Sequence, residues 1–290
     1  MEHPTNRTLF FIITDRCNFT CEYCFNKNLR PKERQEYDFS KSENDLSLLK
    51  KNGFNHIIIT GGEPFINSKL INFLRLAKSK GFKVEIDTNA SLITKKLARD
   101  LKRMNIDTIY ASLDSFNTEI NEKTRKMTKN TIQGIKNLLE KGVNVSVISV
   151  LTKNNFKDIK NTNISLEKMG VKEHTVQPVF SNDSNLCLES LNKKDFYIAI
   201  KNMIDINKKN KKDKYAQLIE HLYLKKTSLI YPNCQMGKNY FVMTPDKKLK
   251  DCFHKSWMIS SLDNLSIPLN INKDNCFGKH CCSMFVIDDF

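Results

Sequence analysis

Along residues 1–180 the apolar positions switch repeatedly between two periods, and each switch falls at a small or flexible residue. Compact β-rich runs at 8–13, 56–60, 83–87, 108–113, 144–151 and 172–179 read as strands. Between them, apolar residues recur three and four apart: Leu46/Leu49, Leu70/Leu74/Ala77, Leu97/Leu101/Met104 and Ile132/Ile135/Leu139. That spacing lays one buried stripe along each intervening helix. The helices end alike, in a basic or polar residue, then Gly53, Gly81 or Gly142, then an apolar residue. Met169-Gly170-Val171 and Met104-Asn105-Ile106 are variants of the same ending. A helix often stops in a left-handed residue, which costs Gly little and Asn less than most others. Ser42 with Asp45, and Ser68, are expected as N-caps.

Six strand–helix units imply a parallel sheet. A closed eight-unit barrel takes about 250 residues. The expected fold is therefore α/β, a partial (β/α)6 TIM-like barrel over 1–180, with an open doubly wound sheet as the alternative. Beyond Phe180 the pattern breaks. Residues 181–230 read as a helical connector, with helices at 195–207 and 215–225. Residues 231–290 are turn-rich, hold five of the nine cysteines, and read as a small cysteine-rich domain.

In parallel βα folds chemistry gathers beyond the carboxyl ends of the strands. Strand one leads into Asp15-Arg16 and then Cys17, Cys21 and Cys24; strand two runs into Thr60-Gly61-Gly62-Glu63-Pro64. Strands three and four end in Asp87-Thr88-Asn89 and Ser112-Leu113-Asp114, and strands five and six in Thr152–Asn155 and Gln177-Pro178. Three thiolates on one short loop suit three irons of a four-iron cluster and leave the fourth iron open to a ligand. Zinc is the alternative, but a structural zinc site is closed by four ligands, and His56 sits at the wrong end of its strand to be one. Gly61-Gly62 fits either a tight turn or close approach of a ligand to the backbone.

Composition narrows the class. Of the 290 residues 40 % are hydrophobic, enough for a buried core. The early apolar run at 9–13 is far shorter than the roughly 20 residues of a membrane span, so a soluble cytoplasmic protein without a membrane partner is expected. Cysteines gathered at the two ends of a long chain point to metal binding in a reducing compartment. The net charge of +15 reads as a solvated basic surface that would attract an acidic peptide or a phosphorylated substrate. The densest basic run, 208–214, lacks aromatics on which bases stack, so no nucleic-acid partner is expected. A zinc- or cluster-containing nucleic-acid-binding module is the contrasting class.

Cys17-x3-Cys21-x-Tyr23-Cys24 followed by Gly61-Gly62-Glu63-Pro64 resembles a radical S-adenosylmethionine enzyme, and the similarity extends through Ser112-Leu113-Asp114 to Arg125. The resemblance implies a [4Fe-4S] cluster on Cys17, Cys21 and Cys24 whose open iron chelates the amine and carboxylate of S-adenosylmethionine. Reductive cleavage then gives a 5′-deoxyadenosyl radical that abstracts hydrogen from substrate. It also implies that Tyr23 and Phe25 lie near the adenine and that Gly61, Gly62 and Glu63 contact the methionyl amine. Ser112 and Asp114 would lie near the ribose, Arg125 would pair with the carboxylate, and Asn89 would join the cofactor-binding set. The bland readings are a helix cap for Glu63, an Asx turn for Asp114 and a surface position for Arg125, which Lys126 follows in place of the small residue usual in the family.

Cys234, Cys252, Cys276, Cys281 and Cys282 form a second set, which is similar to the SPASM/Twitch module of peptide- and carbohydrate-modifying radical enzymes. In that module a β-hairpin carries a Cys on each side; Lys247 stands here where its turn usually has Gly. The resemblance implies one auxiliary [4Fe-4S] cluster, held by Cys234, Cys252, Cys276 and Cys281, with too few further Cys for a second; zinc is again the alternative. Cys282, or otherwise Cys187, is the candidate hydrogen donor should the reaction be an epimerisation. The implied substrate is a ribosomally synthesised peptide, and the implied reductant a flavodoxin or ferredoxin. An aminocyclitol-type small-molecule dehydrogenase is the alternative enzyme, favoured by the lack of a separate peptide-recognition domain before the first strand.

Overall fold

The computed structural model describes residues 6–24, 34–181, 183–225, 235–253 and 258–264. Strands β1 (Arg7–Ile12), β2 (Phe54–Thr60), β3 (Lys83–Thr88), β4 (Thr108–Ser112), β5 (Val145–Leu151) and β6 (Glu173–Pro178) each pair in parallel with the next. Helices α1 (Ser42–Lys51), α2 (Leu70–Ser79), α3 (Lys95–Arg103), α4 (Thr118–Asn121), α5 (Thr128–Glu140) and α6 (Ile159–Met169) fill the crossovers. The spatial order from β6 to β1 never reverses. A doubly wound sheet reverses at its switch point, so the six strands form the partial barrel.

Alternation along β1 sorts its side chains. Leu9, Phe11 and Ile13 join Leu46, Leu49, Leu70, Leu74 and Leu101 in the core under the helices. Phe10 and Ile12 face inward, against Ile58, Met236 and Val242. The helix endings follow expectation: Gly53, Gly81, Gly142 and Gly170 have φ of 77°, 73°, 68° and 95°, and Asn105 has 55°. Nothing crowds the Cα of Gly81 or Gly170, so the dihedral alone selects Gly there.

The N-caps differ from expectation. A short 3₁₀ turn, Phe39–Lys41, capped by Asp38, precedes α1. Ser42 is therefore already inside the helix and donates to Phe39 O at 2.7 Å. Asp45 accepts instead from the Tyr37 hydroxyl at 2.8 Å. Ser68 caps nothing at α2; Asn67 Oδ1 accepts from Lys69 N at 2.9 Å and makes the lead-in turn.

Helices α7 (Lys193–Lys209) and α8 (Asp213–Ile219) cover β5 and β6 with Ala199, Ile200, Met203, Leu218 and Ile219. As β6 ends the sheet, its backbone needs partners. Asn207 provides them, accepting from Val176 N at 3.1 Å and donating to Val176 O at 2.8 Å.

At the other edge β7 (Tyr240–Met243) runs parallel beside β1, followed by antiparallel β8 (Lys248–Lys250) and β9 (Met258–Ser261). The cysteine-rich segment thus joins the sheet of the barrel. Lys247 occupies the hairpin turn with φ 63°, the left-handed conformation that favours Gly. Its ammonium lies 2.7 Å from Asp263 and 3.4 Å from Asp45, which is only 2 % exposed. These pairings offset the strained backbone and staple the hairpin to α1. Lys247→Ala is expected to lower stability by about 1–2 kcal/mol in urea unfolding, since it leaves a buried carboxylate short of a partner. An unchanged midpoint would remove the staple. Among the described residues no helix is long and apolar enough to cross a membrane.

Candidate cluster and cofactor site

Because β1–β6 are parallel, their carboxyl ends share one rim, and the loop after β1 lies across it. Cys17, Cys21 and Cys24 are half-buried, and Cys24 N donates to Cys21 O at 3.2 Å in a tight turn. Burial pushes the Cys21 thiol up to about 11, against the opposing pull of Arg125. Metal binding must therefore displace its proton. Cys21 also feels Cys17 and Cys24 electrostatically, yet among the described residues no three His, Cys, Asp or Glu side chains converge on a single ion. Three thiols on one short loop are the donor type that suits an iron–sulfur cluster.

The Gly-Gly-Glu turn after β2 is built against this loop. Gly62 N donates to Thr14 O at 2.7 Å, and Glu63 N to Arg16 O at 2.8 Å. A Cβ on Gly61 would lie 2.5 Å from Thr14 O, and one on Gly62 only 2.0 Å from Arg16 O. The glycines thus admit the neighbouring backbone. Gly62→Ala should cost about 3 kcal/mol or more, because main chain cannot yield as a side-chain tip can. A thermal midpoint within error of wild type would contradict this.

Glu63 is fully buried, and its bland reading as a cap is observed: Oε1 accepts from Phe65 N at 3.1 Å. Oε1 also accepts from Thr88 Oγ1 at 2.7 Å, and Oε2 from Asn89 N at 2.8 Å. Burial still pushes this carboxyl up to about 7. Asn89 extends the tie, its amide donating to Asn18 Oδ1 at 2.9 Å. Asn18 in turn donates to Ser91 Oγ at 2.9 Å. Glu63 and Asn89 thus join the ends of β2 and β3 to the Cys loop.

A second knot lies at the end of β4. Asp114 is fully buried; it accepts from the Tyr23 hydroxyl and from Val150 N, the latter at 2.9 Å. Arg125 Nε sits 3.0 Å from Asp114 Oδ1, an ion pair whose N–H is not aligned for a hydrogen bond. The guanidinium lies 5.2 Å from the Tyr23 ring centroid. Burial lowers the Arg125 pKa, but Asp114 more than reverses this, so it stays charged. Tyr23 is held neutral by burial. The surface reading of Arg125 is therefore excluded. Glu22 N donates to Thr124 O at 3.0 Å, which ties the Cys loop to this knot. Tyr23 also packs on Val150, Val179 and Leu186, an apolar wall beside the rim. Ser112, half-buried, faces inward at the end of β4.

Sequence reasoning placed Asp87 at the rim without assigning it a role. Val84 and Ile86 enter the outer core, so Glu85 and Asp87 face inward. Thr60 donates to Asp87, whose carboxyl burial pushes up to about 7. Asn18 and Thr124 were also missed, since neither carries a motif and both act through contacts distant in sequence. Cys187 lies just past Leu186 in the same rim, its thiol donating to Ser181 O at 2.6 Å. Cys252 is half-buried after β8; its neighbour Phe253 packs edge-on at 5.1 Å on Phe10, inside the barrel and towards the amino end of β1. Phe25, Cys234, Cys276, Cys281 and Cys282 lie outside the described residues.

Residues 11–163 match the model of the Radical SAM superfamily. The tungsten-containing aldehyde ferredoxin oxidoreductase cofactor-modifying protein of Pyrococcus furiosus is 31 % identical over 177 residues, 56 % of this chain and 49 % of that protein. The chain spans about half, or less, of several of the curated relatives it matches. Among solved structures, Streptococcus suis SuiB bound to S-adenosylmethionine aligns with a TM-score of 0.71 at 17 % identity, covering 97 % of this chain and 72 % of SuiB. Native anSMEcpe with bound AdoMet and the Cp18Cys peptide aligns at 0.65 and 19 % identity, covering 90 % and 78 %. At these identities the likeness is one of fold.

Proposed function

Since the chain belongs to the Radical SAM superfamily, we propose that it reductively cleaves S-adenosylmethionine and abstracts hydrogen from a ribosomally synthesised peptide, which it cross-links, closes through a thioether or epimerises. The observation that carries the reading is the backbone lock between the two motifs, Gly62 N to Thr14 O and Glu63 N to Arg16 O, at the mouth of a parallel barrel. When bound, a [4Fe-4S] cluster supplies the electron and an open iron, and S-adenosylmethionine supplies the 5′-deoxyadenosyl group that takes the hydrogen atom.

The chain's residues bind and orient. Cys17, Cys21 and Cys24 hold the cluster. Tyr23, fixed by Asp114 and backed by Val150, Val179 and Leu186, offers a flat apolar wall to the adenine, and Phe25 follows it in sequence. Ser112 serves the ribose and Arg125 the methionyl carboxylate, while Asp114 holds both Tyr23 and Arg125 in place. With the Gly62 and Glu63 amides already spent, the acceptors for the methionyl amine at Gly61 and Gly62 are backbone carbonyls.

The second cysteine set, Cys234, Cys252, Cys276 and Cys281, holds one auxiliary cluster of the SPASM/Twitch kind. Cys252, beside Phe253 towards the amino end of β1, supports a position across the barrel from the Cys loop. A cluster held by these cysteines would supply an electron acceptor for the substrate or a coordination site for it. Cys282 and Cys187 are the candidate hydrogen donors, and a flavodoxin or ferredoxin is the reductant. A neighbour of the same fold solved with a bound peptide supports the peptide class. The test is incubation with a short peptide encoded beside this gene, S-adenosylmethionine and reduced flavodoxin, read by mass spectrometry in D2O. Loss of two hydrogens or gain of one solvent deuteron is expected. An unmodified peptide, with S-adenosylmethionine cleaved, would move the substrate to the small-molecule class.

A further inference from the structure

One turn beside the Cys loop shows solvent a face that the cofactor site does not use. Between α4 and α5 the chain reads Lys123-Thr124-Arg125-Lys126-Met127-Thr128-Lys129. Thr124 and Arg125 turn inward to Asp114, at 3.2 Å and 3.0 Å. Lys123, Lys126, Met127 and Lys129 are exposed. Among the described residues no carboxylate pairs with any of these lysines. Glu122, the nearest carboxylate in sequence, accepts from Thr128 N at 3.2 Å and from Thr128 Oγ1 at 3.3 Å. Glu22 is the exposed carboxylate on the Cys-loop side. Met127 is 39 % exposed and left-handed, with φ 54°. Gly or Asn takes that conformation more readily, and an apolar side chain gains little from it at a surface.

This turn is fastened to the Cys loop at two points. Thr124 O accepts from Glu22 N at 3.0 Å, one residue past Cys21. Met127 Sδ lies 3.9 Å from Asn18 Nδ2, one residue past Cys17. An adaptable apolar side chain flanked by unpaired cations has the make-up of a small transient interface, in which the centre excludes water and the charged rim steers the partner. We propose that Met127, with Lys123, Lys126 and Lys129, is the docking surface for an acidic one-electron carrier protein that reduces the cluster. The inference rests on the proposed cluster and on the proposed class of reductant. One electron passes from the reduced carrier to the cluster; no atom is transferred, and the carrier leaves oxidised by one electron. Position selects this surface over a more basic one. Helix α3 carries exposed Lys95, Lys96, Arg99, Lys102 and Arg103, but it runs away from the rim. Asp107, just past its end, accepts from Val84 N at 2.8 Å and pairs with Lys78 at 2.7 Å, at the amino ends of β3 and β4. A carrier seated there faces the wrong end of the barrel.

Flavodoxin is the probe, and dithionite, a small reductant that needs no docking surface, is the control. Replacing Lys123, Lys126 and Lys129 together by Glu should weaken equilibrium binding of oxidised flavodoxin about tenfold or more at low salt. Formation of 5′-deoxyadenosine should slow to match with reduced flavodoxin and stay unchanged with dithionite. The gap from wild type should narrow as salt screens the charges. Met127→Gly suits the left-handed turn, so it should weaken flavodoxin binding at a thermal midpoint near wild type. Replacing Lys96, Arg99 and Arg103 by Glu changes the net charge equally and should leave binding near the wild-type value. Undiminished flavodoxin binding by the Lys123, Lys126 and Lys129 variant would overturn the inference. So would an equal loss in the α3 variant, which would mark net charge alone, or a wild-type protein reduced by dithionite but by neither flavodoxin nor ferredoxin. A variant reduced normally by flavodoxin that fails to turn over a peptide would overturn it too, and give the surface to the substrate. A wild-type protein that loads iron yet cleaves no S-adenosylmethionine even with dithionite would instead remove the reading on which the inference rests.

Discussion

Asp114→Ala is expected to destabilise the protein by about 3–5 kcal/mol, the scale of breaking a buried ion pair from one side. Asp114 is fully buried; its removal leaves Arg125 charged and almost enclosed, Val150 N without its acceptor, and the Tyr23 hydroxyl without its anchor. Replacing both partners, Asp114→Leu with Arg125→Met, should cost less than Asp114→Ala alone, because no orphan charge remains. Asp114→Asn should fall between, keeping an oxygen for Val150 N while losing the charge. Urea midpoints of the four proteins check the order. A double variant no more stable than Asp114→Ala would mean that the hydrogen bonds, and not the charge pair, hold this knot.

Replacing Cys17, Cys21 and Cys24 together by Ala is expected to abolish S-adenosylmethionine cleavage while shifting stability by only about 1 kcal/mol or less, since half-buried side chains outside the core are removed. Iron content should fall by one cluster's complement, and the C-terminal cluster should persist. The effect is absolute because a carboxylate does not replace a thiolate in the cluster, and Asp114 and Glu63 are in any case committed to Arg125, Thr88 and Asn89. Retained cleavage in this variant would contradict the ligand assignment.

The barrel was legible because its signals are local. A helix that must reverse into a strand needs a left-handed residue, and Gly or Asn marks each reversal. Period-two alternation sorts Phe10 from Phe11 without knowledge of the partner. The signals that misled are those set by what a residue meets far along the chain. Ser42 reads as a cap until the preceding 3₁₀ turn takes that role. Gly61-Gly62 suggests ligand approach, but it does not announce that the glycines also admit the backbone of Thr14–Arg16, more than 40 residues earlier. Glu63 looks available until Thr88 and Asn89 arrive from the next strand. The pairing of β7 with β1 depends on an edge the sequence does not mark, and Lys247 holds its left-handed turn beside the Asp45 that α1 offers.

The account stands most directly on one measurement: 5′-deoxyadenosine formed from S-adenosylmethionine by the anaerobically reconstituted, reduced protein, with metal content determined on the same sample. Iron and sulfide for two [4Fe-4S] clusters, and 5′-deoxyadenosine that disappears in the triple Cys variant, are expected. Stoichiometric zinc with no 5′-deoxyadenosine would contradict it.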